Sequence, residues 1–175
     1  MYFLLPAAFA NMAPVMFKNK LKFLEIPIDG GKTWMGKPIF GSHKTVRGFV
    51  SGVVLAMLVA LAQSWLSRYT VMQAFSVVDF SRGYGFALLV GFLMGFGALL
   101  GDLVKSFVKR RMGIEAGKPF IPFDEVDFAL GALVFSTIVI DISWSIALTS
   151  IGLAFTFHII INHIAFYAGI RKEKW

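Results

Sequence analysis

Apolar residues fill this chain in long blocks, and polar residues collect in the gaps between them. Met1–Phe17, Gly48–Leu66 and Gly83–Gly101 contain no Asp, Glu, Lys or Arg. From Phe128 to Ile170 the one carboxylate or basic side chain, histidines aside, is Asp141. A helix needs about 20 mostly apolar residues to cross the bilayer core, so the last block is long enough for two crossings. It divides between Asp141 and Ser150. The pattern predicts spans at about 1–17, 48–66, 83–104, 126–142 and 149–170, with long loops at 18–47 and 105–125. Lipid makes each spanning segment satisfy its own backbone, which makes these spans helices. The alternation of a membrane barrel is missing. The expectation is one all-α, polytopic membrane domain covering 1–175, with five transmembrane helices.

Composition agrees. The chain is 57% hydrophobic and 15% charged, with a mean hydropathy of +0.73. Soluble domains run at about 45–50% apolar and about 25% charged. A disordered chain, a fibrous chain and a water-soluble enzyme around one core are thereby excluded. With no Cys, disulfides, thiolate metal sites and Cys nucleophiles are excluded as well. Met1–Phe17 lacks a positive leader and contains Asn11 and Pro14, so it reads as a span and not as a cleaved signal peptide.

The net charge is +7, from 17 Lys+Arg and 10 Asp+Glu. Seven basic residues lie in loop 18–47, five in 102–125 and three in the tail (Arg171, Lys172, Lys174), while loop 67–82 holds Arg68 and Arg82. Fifteen of the 17 therefore fall on one side. The positive-inside rule makes that side cytoplasmic, with the N-terminus outside and the C-terminus inside. The chain is expected in the cell membrane with its chemistry at the cytoplasmic face, and no nucleic-acid partner is expected.

Two segments carry candidate chemistry. In Gly101–Arg111, Asp102, Ser106 and Lys109 stand at i, i+4 and i+7 and share one helical face. A snorkelling basic collar accounts for Lys109, Arg110 and Arg111. It does not account for Asp102, because an acid near lipid is costly. In Phe120–Phe128, Asp124 and Asp127 share a face at a helix start. Capping of the helix dipole explains the first acid better than the second. Asp102, Asp124 and Asp127 at adjacent inner helix ends suit a hard cation such as Mg2+, with Lys, Arg and Ser for phosphate oxygens. Metal beside a basic clamp is the arrangement of phosphoryl or nucleotidyl transfer.

Loop 18–47 contains Gly31-Lys32-Thr33 and Gly41-Ser42-His43-Lys44-Thr45-Val46-Arg47-Gly48. It is not a P-loop, because Ile26 stands where that motif needs Gly. Its Gly and Lys-Thr pairs ahead of a helix start suit either an anion or lipid headgroups. Gly91-x-x-x-Gly95 and Gly97-x-x-x-Gly101 are close-packing motifs within a chain or between subunits, so a homodimer is a further expectation. His158, Asn162 and His163 lie inside the last span, where they either hydrogen-bond a neighbouring helix or serve the site.

Gly-Asp-Leu-x-x-Ser-x-x-Lys-Arg from Gly101 to Arg110, followed by Ile121-Pro122 and by Asp124 and Asp127, resembles the signature of the CDP-diacylglycerol synthase family. The Gly-His-Gly-Gly of larger members is missing. That short form, Lys44–Gly48 and the Ala10-Asn11-Met12-Ala13-Pro14 run are similar to the archaeal branch, the CDP-archaeol synthases. The resemblance implies Mg2+-dependent transfer of CMP from CTP to a geranylgeranyl diether of glycerol phosphate, giving CDP-archaeol and pyrophosphate for polar membrane lipids. It implies Asp102, Asp124 and Asp127 as metal ligands and catalytic residues together with Lys109. Ser106 and Arg110 would bind phosphates. Lys44, Thr45 and Arg47 would hold the CTP triphosphate, and Lys32 is a further substrate-binding candidate. CTP, the isoprenoid ether lipid phosphate and the bilayer are the expected partners.

The alternative is a small transporter or channel with Asp102 and His158 on its pathway. That reading expects charges near the middle of spans, whereas here they gather at span ends. A CDP-alcohol phosphotransferase would need an Asp-Gly-x-x-Ala-Arg start, and Asp29-Gly30 is followed by Gly31-Lys32-Thr33-Trp34.

Overall fold

The computed structural model describes residues 2–167 and 169. Six helices dominate these residues: α1 (Leu5–Met16), α2 (Val46–Leu66), α3 (Thr70–Ala74), α4 (Tyr84–Arg111), α5 (Phe123–Ser136) and α6 (Trp144–Tyr167). A two-residue hairpin, β1 (Thr33–Trp34) and β2 (Lys37–Pro38), pairs antiparallel within the first long loop. Among the described residues, α2, α4 and α6 are long and apolar enough to cross a membrane, and the segment around α1 is apolar but shorter. The chain is thus a mostly helical polytopic membrane protein.

Several helix ends differ from the expected span limits. The third predicted span, 83–104, continues as helix to Arg111, which carries its basic end beyond the apolar block. α5 stops at Ser136. There Ser136 Oγ donates to the carbonyl of Ala132 and Thr137 Oγ1 to that of Val134, each at 2.6 Å. Such back-bonding hydroxyls compete with the helical ladder. The break between the last two helices accordingly falls at 137–143. The basic tail, Arg171, Lys172 and Lys174, lies outside the described residues.

α4 is the central helix. It packs on α2 along one side and on α5 along another, and α1 lies against α2, α4 and α5. Small residues make these approaches possible. A Cβ on Gly91 would stand 2.6 Å from Met57 Cα, and one on Gly95 would stand 2.6 Å from Ala56 Cβ. Cβ atoms on Gly97 and Gly101 would run into the backbone carbonyls of Gly131 and Asp127. Both small-residue pairs of α4 are therefore used inside the chain, the first against α2 and the second against α5. Ala7, Ala10, Ala56, Ala60, Ala98, Ala129 and Ala132 have no accessible surface. In lipid, where apolar burial drives little association, this close contact supplies the cohesion. Large apolar side chains point outward: Val134 is 65% and Leu148 66% exposed.

Candidate active site

The alternation of helix directions gathers four chemically relevant segments at one end of the bundle: the approach to α2, the last turns of α4, the start of α5 and the second half of α6. They surround a cavity of about 290 Å³ lined by Lys44, Lys105, Ser106, Lys109, Arg110 and Asp127, among others. A larger cavity of about 680 Å³ lies at the far end, between Ser64–Arg68 and Asp79–Tyr84. It is bigger, but Arg68 is the one basic residue in its wall. The smaller cavity holds the dense mixture of charges.

The first long loop sets Lys44 in place. Asp29 Oδ1 accepts the Gly31 N–H at 2.9 Å, and Oδ2 accepts those of Phe40 at 2.9 Å and Gly41 at 3.2 Å. Backbone bonds from Ile28 to the Lys44 carbonyl and from Val46 to the Ile26 carbonyl, both 2.8 Å, fasten the loop to the start of α2. The hairpin is strapped to α4. Arg111 donates to the carbonyls of Trp34, Lys37 and Pro38, and Trp34 stacks on Phe107 with ring centroids 5.4 Å apart. Burial pushes the Asp29 carboxyl up, but the N–H groups of Phe40, Gly31 and Gly41 more than offset this and hold it below the usual carboxylate range.

Lys44 Nζ then reaches Asp102 Oδ2 at 2.5 Å. The other Asp102 oxygen lies 3.0 Å from Lys105 Nζ, one turn further along α4. The same ammonium lies 3.0 Å from Asp124 Oδ1 and 2.8 Å from Asp127 Oδ2. Lys109 Nζ follows, 3.2 Å from Asp124 Oδ2 and also donating to the Lys118 carbonyl. Asp124 Oδ2 accepts the Phe120 N–H at 2.6 Å, and Asp127 Oδ1 accepts the Phe128 N–H at 2.7 Å. Three carboxylates thus alternate with three ammonium groups. Taking such charges out of water is costly, and the interleaving offsets that cost. Arg110 adds a guanidinium whose Nε is buried without a partner. A buried donor of that kind is costly until an acceptor arrives.

Of the sequence candidates, Lys44, Ser106, Lys109, Arg110, Asp124 and Asp127 meet at this cavity, and Asp102 lies behind Lys44 and Lys105. Thr45 is the N-cap of α2, its Oγ1 accepting the Gly48 N–H at 3.2 Å. Arg47 is 5% exposed and pairs with Glu25 at 3.1 Å. Lys32 is exposed in the turn before the hairpin and lines none of this cavity. Sequence reasoning missed Lys105 and Glu125. His158 and Asn162, which it left between structural and functional roles, line the same cavity together with Asn11. For Lys105 a signal was available: it stands at i+3 from Asp102 and so lies on the same helical face.

As the side chains stand, the cluster does not fit Mg2+. The space between the three carboxylates is filled by Lys105 Nζ. Mg2+ requires near-octahedral oxygens at about 2.0–2.1 Å. Among the described residues no three His, Asp or Glu side chains form a group able to hold a metal ion.

Comparison with known proteins adds an independent line. A family profile described as "CarS-like: CDP-archaeol synthase" matches residues 1–175. The CDP-archaeol synthase of Methanosarcina acetivorans is 34% identical over 180 residues, covering 98% of this chain and 100% of the relative. That of Thermococcus kodakarensis is 34% identical over 175 residues, covering 99% and 94%. That of Methanocaldococcus jannaschii is 34% identical over 179 residues, covering 100% and 95%. A solved structure, described as an intramembrane enzyme for archaeal membrane lipids biosynthesis, superposes with a TM-score of 0.73 at 27% identity, covering 92% of this chain and 90% of that one.

Proposed function

The chain belongs to the CDP-archaeol synthase family, and on that premise we propose that its charge cluster is where two phosphates are joined. Family membership makes it a CTP-dependent cytidylyltransferase of archaeal membrane lipid biosynthesis and an intramembrane, multi-pass enzyme. The finer reading is that CMP passes from CTP to a geranylgeranyl diether of glycerol phosphate. One observation carries the assignment of the site: Lys44, Lys105, Lys109 and Arg110 line one cavity at a helix-bundle end.

The chemistry follows from the charges. A phosphate monoester has a second pKa near about 6, so the lipid phosphate is mostly dianionic at neutral pH and needs no strong general base. One of its oxygens attacks the α-phosphorus of CTP. The bond to the β-phosphate breaks, and pyrophosphate leaves with the electron pair. The obstacle is bringing two polyanions together. Lysine and arginine groups already aimed into the cavity neutralise them and align the attacking oxygen. Asp102, Asp124 and Asp127 hold the ammonium groups in place. Lys109 and Arg110 face the transferred phosphates, with Ser106 as a neutral donor, and Lys44 sits on the side from which the loop would cover the triphosphate. Thr45 acts by capping α2, and Arg47 by tying that helix start to Glu25.

The proposed topology has five crossings, the N-terminus outside and the cavity on the cytoplasmic side. Its support is the crowding of Lys and Arg around the cavity end, against Arg68 and Arg82 at the other. α1 and α5, at 12 and 14 residues, would complete their crossings through the apolar turns that flank them. α6 packs on α5, and Asn11 of α1 lines the cavity together with His158 of α6. The lipid phosphate would enter between α1 and α6 with its tails still in the bilayer.

Purified protein in detergent, given CTP, Mg2+ and the diether lipid phosphate, is expected to release pyrophosphate and to prefer CTP over ATP, GTP and UTP. No release with any diether or diester lipid phosphate would sink the reading.

A further inference from the structure

Position 105 is one of the unspecified places in the Gly101–Arg110 motif, yet its side chain has the most densely charged surroundings in the described residues. Lys105 Nζ is within 3.0 Å of one oxygen from each of Asp102, Asp124 and Asp127. Asp127 Oδ2 is buried and accepts no hydrogen bond from any other group. α4 supplies the ammonium and one acid, and α5 supplies the other two. The approach at Gly97, Gly101 and Gly131 keeps the two helices close enough for one side chain to span them.

We propose that the Lys105 ammonium is the resident cation of the Asp102–Asp124–Asp127 cluster and that a divalent ion competes with it for the same carboxylate oxygens. The two cannot share the space. A divalent ion needs those oxygens in its own inner shell, and it would then stand against an ammonium at contact distance, with little water between them. Lysine carries a point charge on a flexible stem, and this stem lines the cavity, so the ammonium can swing off the carboxylates toward an incoming phosphate. Divalent metal therefore binds the wild-type cluster poorly. The inference rests on the reading of this cavity as the phosphate site.

The test is metal binding without turnover. Mn2+ is titrated into detergent-solubilised protein without nucleotide, and the free Mn2+ signal is followed by electron paramagnetic resonance. Lys105→Met should take up Mn2+ at a concentration at least about tenfold below the wild type, and adding Asp127→Asn to that variant should abolish the uptake. Equal or weaker uptake by Lys105→Met overturns the proposal. The wild type gives a second measure that needs no folded Lys105 variant. Uptake only in the millimolar range supports the proposal, and micromolar uptake that Asp127→Asn removes overturns it. Because no reaction is read, failure here and failure of cytidylyl transfer are separate results.

Discussion

Lys44 and Asp102 are 58 residues apart in sequence and meet at 2.5 Å. Lys44 lies just before the first turn of α2, and Asp102 lies in the last third of α4. Their contact joins the first long loop to α4, which has more charged residues than any other helix in the described residues. Replacing Lys44 by Met removes one cavity cation but leaves Asp102 its pair with Lys105. We expect pyrophosphate release to fall by about 10²–10³-fold, the usual cost of losing one preorganised donor. The thermal midpoint in detergent should change little, because Lys44 keeps 27% of its side chain exposed. A variant with normal turnover would take Lys44 out of the site.

Asp127 is on the opposite side of the cluster, its side chain 5% exposed and 2.8 Å from Lys105 Nζ. Asp127→Asn keeps the shape and removes the charge that anchors the ammonium. Turnover should be lost while the protein still elutes as a single folded species in size-exclusion chromatography. Near-normal turnover would exclude Asp127 from the site.

Gly131 is the closest point between α4 and α5, with a Cβ there running into the Gly97 carbonyl. Gly131→Ala should destabilise by about 1–3 kcal/mol or more through overpacking, read as a lowered thermal midpoint, and should weaken turnover by parting the acids of α5 from Lys105. Gly152→Ala is the control. Beyond the local helix backbone and its two chain neighbours, no atom lies within 4 Å of a Cβ at that position, so the midpoint should hold or rise slightly with the better helix former.

The Asp29 carboxyl is held below its ordinary value by the N–H groups of Phe40, Gly31 and Gly41, which outweigh the effect of burial. A group whose folded pKa is depressed contributes stability above its unfolded value, near about 3.9, and loses it as pH falls through the folded value. Amide exchange at Phe40 and Gly41, corrected for its intrinsic pH dependence, should therefore be flat from neutral to mildly acidic pH and accelerate below about 4. Asp29→Asn should raise the exchange at neutral pH and flatten the acid response. An unchanged profile in Asp29→Asn would show that the turn is held by other bonds.

Much of this was legible in one dimension because membrane insertion acts on local sequence. The uncharged blocks mark helices, since a lipid-facing backbone is satisfied only in a helix or a closed barrel and the alternation of a barrel is missing. The Gly101–Arg110 motif with Asp124 and Asp127 carried the family, and the comparisons bear out that resemblance over the full chain. Arg47 and Lys105 were harder. Arg47 sits in a basic run that reads as a phosphate grip, yet the loop fold brings Glu25 against it. Lys105 is one of five basic residues in 102–125 and falls at an unspecified place of the motif.

The sequence by itself determined the class of molecule, the family and the pool of charged residues at the helix ends, because hydropathy, motif spacing and charge are local properties. Tertiary structure alone decided which charges meet. The glycine contacts of α4 with α2 and α5 fix the helix separations. Those separations place Lys44 on Asp102, and the ammonium of Lys105 between three carboxylates. Small-residue motifs announce close packing but not which helix they meet, and that choice separates a basic collar from interleaved charges around one cavity.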